Sequence, residues 1–260
     1  VGLAGRSKRA DLVDCAADRT PGQWRSAKLE RIAADLASSY GIEVRADVDT
    51  GPALTHAIDQ GETVFESIER MLRLRQLLAT DDADGRLVFI EVGSAGRAVT
   101  ALELGRNILR CEAPLDYKEV FTQYVVKGQR PGSDAEFGDT VAGVTASITD
   151  DTLNRRRVLL IKQGGEATGT SAAERVRWER AHRKAMALAT TYTVNGWRQE
   201  DGTLWRHNML VRTIDAAVGF DDEFVIAEIQ YQLSDAGQLC VLKVGPKDGY
   251  VSKPEGKTKG

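Results

Sequence analysis

The sequence predicts an α+β protein: a small α/β module, then antiparallel strands that close into a β-barrel with one long helix attached. Three observations carry this prediction. Residues 23–95 alternate helix-like and strand-like patterns. Residues 97–250 are mostly strand-like, and Val225, Ala227, Ile229, Tyr231 and Leu233 alternate there with more polar partners, as in a strand with one buried face. Among these strands, Ser171-Ala-Ala-Glu174 reads as a capping box that opens a helix running to about residue 190. At 260 residues the chain is long enough to bury a sizeable core.

Taken in order, "DLVDCAA" (11–17) predicts one or two helical turns, which "TPGQW" (20–24) breaks. "WRSAKLERIAADLASSYG" places Leu29, Ile32, Ala33 and Leu36 on one face of a helix closed by Gly41. "IEVRADV" follows as a strand and "DTGPAL" as a loop. Thr63-Val-Phe-Glu66 is a capping box opening a helix from about 64 to 79, with Phe65, Ile68 and Leu72 on one face. "DDADG" is a turn into the strand "RLVFIEV" (86–92).

From residue 97 the pattern changes. "NILRCEAPLDY", "EVFTQYVVKG" and "RRRVLLIKQGG" predict strands, separated by the polar loop "RPGSDAEFGDTVAG" (130–143). After the long helix come only strands: "TYTVNGW", "LWRHNMLVRTI", "EFVIAEIQYQL" and "QLCVLKVGP". Asp201-Gly202 marks a hairpin that brings Trp197 and Trp205 within reach of each other. Trp197, Trp205 and Tyr231 are expected in the barrel core. "SDAG" (234–237) turns the last pair of strands, and the tail 251–260 is expected to be disordered.

Chemistry-bearing motifs are sparse. The net charge of −3 argues against a dedicated nucleic-acid surface. Cys15, Cys111 and Cys240 are widely spaced without CxxC, which favours a reducing compartment; Cys111 and Cys240 read as small core residues. His56, His182 and His207 fall one per region with no metal-binding spacing, and His182 is expected on a solvated face. Gly93-Ser-Ala-Gly96 lacks the remaining glycines of a nucleotide loop and reads as an exit loop. There is no GxSxG. Asp150-Asp151 and Asp221-Asp222-Glu223 read as solvated turns rather than carboxylates opposed across a cleft. The basic residues Arg155–Arg157, Arg175, Arg177, Arg180, Arg183 and Lys184 read as a solvated face or a subunit contact. No apolar run approaches the ~18 residues of a membrane helix. The expected catalytic, cofactor-binding and metal residues are therefore none, and no cofactor is expected.

Four ordered blocks resemble a known family. They are "GRSKRADLVDCAA" (5–17), "GETVFESIERMLRLRQLLATDDADGRLVF" (61–89), "GRNILRCEAPLDYKEVFTQYVVKGQ" (105–129) and "VNGWRQEDGTLWRHNMLV" (194–211). Together they resemble the Mu-like phage tail protein gpP family, the baseplate hub of contractile tails, although Val120 stands where that family often has arginine.

The resemblance implies a structural protein rather than an enzyme. It is expected in the virion tail baseplate, assembled in the host cytoplasm as a homotrimer. Two related barrels per chain would form a ring between the tail tube or other baseplate proteins above and the spike protein below. DNA would pass through the lumen without specific binding, and no small-molecule substrate is implied. Residues 1–22 would be a remnant of the first barrel, 23–95 the inserted α/β domain and 96–250 mainly the second barrel. Some strands near 97–127 would complete the first barrel, whose other strands would precede Val1. The chain starts without methionine and in what reads as a strand end, so residues upstream are expected. Glu228, Gln230 and Gln232 are candidates for a neutral or acidic lumen face. A cell-wall hydrolase with two opposed carboxylates, or an adaptor binding through the basic helix, are the alternatives from other classes.

Overall fold

The computed structural model describes residues 5–128, 143–163, 169–235 and 237–254, with 169 and 170 described by their backbone only. The predicted loop at 130–143 falls almost entirely outside these residues, as does most of the tail. The chain divides into two compact units, one of residues up to Glu91 with the segment from Ser252, the other Val92–Val251.

The first unit begins with helix α1 (Ala10–Asp14), whose Leu12 is fully buried among the apolar residues of the following helices. This corrects the assignment of residues 1–22 to a barrel: Leu12 belongs to the α/β core. Strand β1 (Gln23–Ala27) occupies what the sequence pattern suggested was the start of a helix. Pro21 and Gly22 precede it, and Ser26 takes a left-handed φ of 51°, so the helix cannot begin before Leu29. Helix α2 (Leu29–Ala37) buries Leu29, Ile32, Ala33 and Leu36, the face the spacing specified. Gly41, at φ 61°, ends the turn that follows it.

Strands β2 (Val44–Ala46) and β3 (Leu54–Ala57) follow, β3 pairing antiparallel with β1. Helix α3 (Val64–Arg75) starts at the predicted capping box, with Thr63 and Glu66 bonded reciprocally. It stops at Arg75 rather than near 79. Gln76 is left-handed (φ 56°) and Leu77 N–H returns to the Leu72 carbonyl at 3.0 Å, which frees the next residues to form β4 (Leu78–Asp81). With β5 (Leu87–Ile90), the strand order is β2-β5-β4. Ile32, Leu36, Ile68, Met71 and Phe89 form the centre of the core against which this sheet packs.

The second unit holds two sheets. One comprises β6 (Leu102–Glu103), β7 (Ile108–Glu112), β11 (Thr190–Asn195), β12 (Leu210–Asp215), β13 (Phe220–Ser234) and β14 (Gly237–Gly245). Their order is β6-β12-β13-β14-β11-β7, and a bridge between Leu104 and Ile108 joins the two edges, so the sheet curls on itself. Tyr192, Trp205, Phe224, Cys240 and Leu242 fill its interior. The other sheet comprises β8 (Gln123–Gly128), β9 (Val144–Thr149) and β10 (Val158–Lys162), ordered β10-β8-β9. Helix α4 (Gly169–Ala187) lies on it, with Ala172 and Val176 packed against Tyr124 and Val126. Strands β8, β9 and β10 with helix α4 are thus a separate α/β layer, not barrel wall. Strands β6 and β7 join the same sheet as β11–β14. Ser171 lies inside α4, which begins two residues before the predicted capping box.

The strict alternation predicted for residues 225–233 breaks at Ala227. The register between β13 and β14 slips there, so Phe224 and Ile226 face the core before the bulge and Ile229 packs against it after. Tyr231 and Leu233, expected inside, are 41% and 71% exposed.

Candidate functional site

The stretch around Asp201-Gly202 forms the expected hairpin. Trp205 N–H bonds to the Trp197 carbonyl at 3.0 Å, and Gln199 N–H to the Thr203 carbonyl at 2.7 Å. The two indoles separate in function. Trp205 is 2% exposed and sits in the barrel core. Trp197 is half-buried; its indole N–H donates to the carbonyls of Gln232 (3.0 Å) and Leu239 (3.1 Å), and its ring meets Tyr231 edge-on. The Tyr231 hydroxyl in turn donates to the Trp205 carbonyl. The hairpin is therefore a pin that ties the 197–205 turn across β13 and β14.

The same turn organises the Gly-rich segment at 93–96. Asn208, left-handed at φ 64°, accepts from Gly93 N–H at 2.6 Å through Oδ1, and its carbonyl accepts from Ala95 N–H at 3.2 Å. Gln199 Oε1 accepts from Val99 N–H at 2.8 Å. Gly93 itself is at φ 79°, and a Cβ there would stand 2.8 Å from a Leu210 methyl. Gly93 serves close approach of backbone to barrel, while Gly96 has open space beside it and serves the turn through its φ of 93°. The amides of Gly93 and Ala95 are spent on protein acceptors rather than displayed toward a phosphate.

Several titratable residues are equally engaged. Glu179, 4% exposed, is held between Arg175 (2.5 Å) and Arg183 (2.9 Å) along α4. Arg183 also reaches Glu119 at 2.7 Å, and Arg157 and Arg183 both lie over the Phe121 ring. Three of the eight predicted basic residues, Arg157, Arg175 and Arg183, are thus internal scaffolding. Arg180 and Lys184 instead border an open groove of about 630 Å³ with Thr149, Asp150, Asp151 and Asp248. Burial pushes the Asp150 carboxyl up, but hydrogen bonds from Thr152 outweigh it and hold the group below its ordinary value. It stays ionised and is a poor proton donor. Asp221 pairs with Arg212 at 2.5 Å and Glu223 with Arg97, so neither faces a second carboxylate as an acid–base pair would.

The cysteines Cys111 and Cys240 lie at and in the barrel core. Burial pushes the Cys240 thiol up to about 12, leaving it protonated and inert near neutral pH. Asp215, fully buried, accepts from the Tyr192 hydroxyl at 3.1 Å and from Ala217 N–H at 3.0 Å, a polar clamp at the end of β12. Among the described residues no group of three or more His, Cys, Asp or Glu gathers to hold a metal ion. No helix among them is long and apolar enough to cross a membrane.

His182, expected in solvent, is half-buried and stacks on Trp178 with ring centroids 4.4 Å apart. His56 is 7% exposed, with Nε2 2.7 Å from the Ser67 hydroxyl; Ser67 is fully buried, so the pair cannot meet a substrate. Burial first, then the charge of Arg70, lowers the His56 imidazole from its ordinary value. The unfolded chain therefore takes up this proton at higher pH than the folded one. The resulting stability is fully present above about pH 6.5 and is lost as the pH falls through that value toward the depressed folded one. Urea denaturation across that range should show the midpoint falling for the parent chain. His56→Gln should flatten the dependence, and an unchanged slope would show that His56 does not govern it.

Glu228 and Gln230 are exposed and Gln232 is half-buried. Across the sheet Glu228 pairs with Lys243, Gln230 with Val241 and Gln232 with Leu239, and Thr191, Thr193 and Asn195 lie one strand further on, so this face is mostly polar with Val241 and Leu239 half-buried in it. Charges here occur in opposite pairs: Glu228 with Lys243 at 2.5 Å, and Arg110 with Glu112 at 2.8 Å.

Comparison with known proteins shows the family. Residues 9–91 match the family described as baseplate hub protein gp44-like, second domain, and residues 168–253 match the Mu phage baseplate assembly protein GpP, fourth domain. The chain is 33% identical to the baseplate hub protein gp44 of Escherichia phage Mu over 268 aligned positions, covering 99% of this chain and 70% of that protein. Its fold is similar to the 43 kDa tail protein of prophage MuSo2 from Shewanella oneidensis (TM-score 0.82, 33% identity, 94% of this chain and 72% of that one). The tail protein of Neisseria meningitidis MC58 shares the fold (TM-score 0.74, 21% identity, 95% and 74%). With an α+β architecture, a curled barrel sheet and this extent of identity, the chain belongs to the Mu-like phage baseplate hub family.

Proposed function

We propose that this protein is a structural hub of a contractile, Mu-like tail, in the virion baseplate, where three copies form a ring between the tail tube and the central spike. The observation that carries the reading is the two-faced barrel sheet. One face is packed with Trp205, Phe224 and Leu242; the other is mostly polar, with Val241 and Leu239 half-buried between its polar rows, and charge-balanced, with Glu228 neutralised by Lys243 and Arg110 by Glu112. A passage for DNA needs such a surface. Double-stranded DNA is densely charged, and a wall of unpaired Lys and Arg would hold it rather than let it pass. Glu228, Gln230 and Gln232 would face that lumen. In this reading the chain has no catalytic role and no small-molecule substrate, and a first barrel is completed by strands outside residues 92–251. Assembly takes place in the host cytoplasm.

Light scattering combined with negative-stain imaging tests this. The expected result, for this chain joined to any preceding residues of its natural protein, is three times the chain mass and ring-shaped particles. A monomer at that length overturns the hub reading. The hydrolase and adaptor alternatives have no specific support: Asp221 and Glu223 are paired with arginines, Asp150 is tied by hydrogen bonds from Thr152, and two arginines of the basic helix are bound to Glu179.

A further inference from the structure

The sheet β10-β8-β9 has one face under α4 and one face open. Tyr124, Val126, Leu159 and Ile161 pack on the helix side. Strands alternate faces, so Val125, Lys127, Val158, Leu160 and Lys162 turn away from it. Exposure agrees: Val158 is 41% and Leu160 61% exposed, and Lys127 and Lys162 are exposed.

The charge on this face is one-signed. Lys127 and Lys162 are direct partners in the parallel register of β8 and β10, where like charges repel. Among the described residues neither has a carboxylate within ion-pair distance, and neither do the exposed Arg155 and Arg156 just before β10.

The backbone edge is also open. Gln123 N–H donates to the Arg157 carbonyl at 3.0 Å and Gln163 N–H to the Lys127 carbonyl at 2.8 Å. These bonds set the parity of a parallel ladder: odd-numbered residues of β10 bond to β8. The N–H and C=O groups of Val158, Leu160 and Lys162 therefore point outward, and among the described residues no strand pairs with that edge. Proteins usually guard such an edge with a bulge, a proline or charged side chains, lysine above all. Here the guard is of one sign, Lys162 beside the exposed Val158 and Leu160, so it deters indiscriminate pairing and leaves the edge to a strand that answers its charge.

We propose that the outer edge of β10 is a docking site for an extended segment of another protein, rich in acidic and apolar residues, which adds to this sheet as a further strand. Main-chain bonds to Val158, Leu160 and Lys162 supply affinity, and side chains supply selectivity. Apolar residues of the incoming strand cover Val158 and Leu160. Its carboxylates meet Lys127, Lys162, Arg155 and Arg156, relieving the lysine pair. Nucleic acid would answer the charge but neither the strand edge nor the exposed Leu160, so the polypeptide is favoured. The inference goes beyond the hub reading and stands on the edge geometry alone.

The test uses the full chain and a labelled peptide alternating valine and glutamate, with binding read by fluorescence anisotropy and amide protection by hydrogen exchange. Saturable binding is expected, with new protection confined to the amides of Val158, Leu160 and Lys162. Leu160→Pro removes an outward N–H while leaving the ladder to β8 intact, so the fold should survive and affinity should fall about tenfold or more. Lys127→Glu with Lys162→Glu should switch preference to a valine–lysine peptide, which keeps the proposal testable should Leu160→Pro not fold. Absence of binding overturns it, as does binding without protection of those amides. So does preferential binding of duplex DNA that depends on the lysines but is untouched by Leu160→Pro.

Discussion

Trp205→Ala should destabilise the 92–251 unit by about 3–5 kcal/mol, the range for removing a large buried aromatic side chain. Trp205 is 2% exposed among Tyr192, Phe224, Cys240 and Leu242, in a sheet joined edge to edge, so the surroundings have little freedom to collapse into the void. Its carbonyl also anchors the Tyr231 hydroxyl, so the hairpin at 197–205 should loosen with it. Trp197→Ala should cost less, about 1–2 kcal/mol, from one shared indole hydrogen bond and one edge-on ring contact on a half-buried side chain. Urea unfolding of the two variants provides the comparison. Equal losses would mean that the hairpin, not the core position, sets the cost.

Glu179→Ala should be comparably severe, at about 3–5 kcal/mol, because it leaves buried cations without their partner. Arg175 and Arg183 have guanidinium side chains only 14% and 24% exposed, and both are bonded to the one Glu179 carboxylate. Arg183 retains Glu119, so it is the less affected of the two. Replacing Arg175 and Glu179 together by methionine should recover much of the loss, since well-packed apolar residues often match a buried ion pair. The unfolding midpoint of the double variant decides it: a midpoint as low as that of Glu179→Ala would mean that the loss comes from packing rather than from the stranded charge. The effect should be local to the α4 layer, read as faster amide exchange in β8 and β9.

Much of the α/β module was legible from local signals. The i, i+3, i+4, i+7 spacing of α2, its Gly41 terminus and the capping box at Thr63 each act within one or two turns, and each folds as read. Two helix ends failed there at positive φ: Ser26 and Gln76 are non-glycine residues in left-handed conformations, which composition does not announce, and they exchanged helix ends for β1 and β4, while the short β3 was missed because it is fixed by pairing with β1. The hairpin at 197–205 was also legible, from Asp201-Gly202. Asn208 was not singled out, although an Asn next to a turn, being tolerant of the left-handed region, was a usable signal.

The sequence by itself determined the α+β class, the helices α2 and α3, the hairpin, the burial of Cys240 and, through four ordered blocks, the hub family. These rest on interactions between near neighbours or on patterns compared one segment at a time. Only the tertiary structure decided which strands share a sheet, because pairing depends on residues far apart: Leu104 with Ile108 at the seam, Gly93 with Asn208 across 115 positions, Arg157 with the segment 117–122. It also decided where the buried face of β13 begins and ends. The bulge at Ala227 puts Phe224 and Ile226 on the core face before it and Ile229 after it, while Tyr231 and Leu233, on the same face as Ile229, lie toward the end of the strand where the core no longer covers them, and alternation in sequence shows neither the bulge nor the limit of the cover.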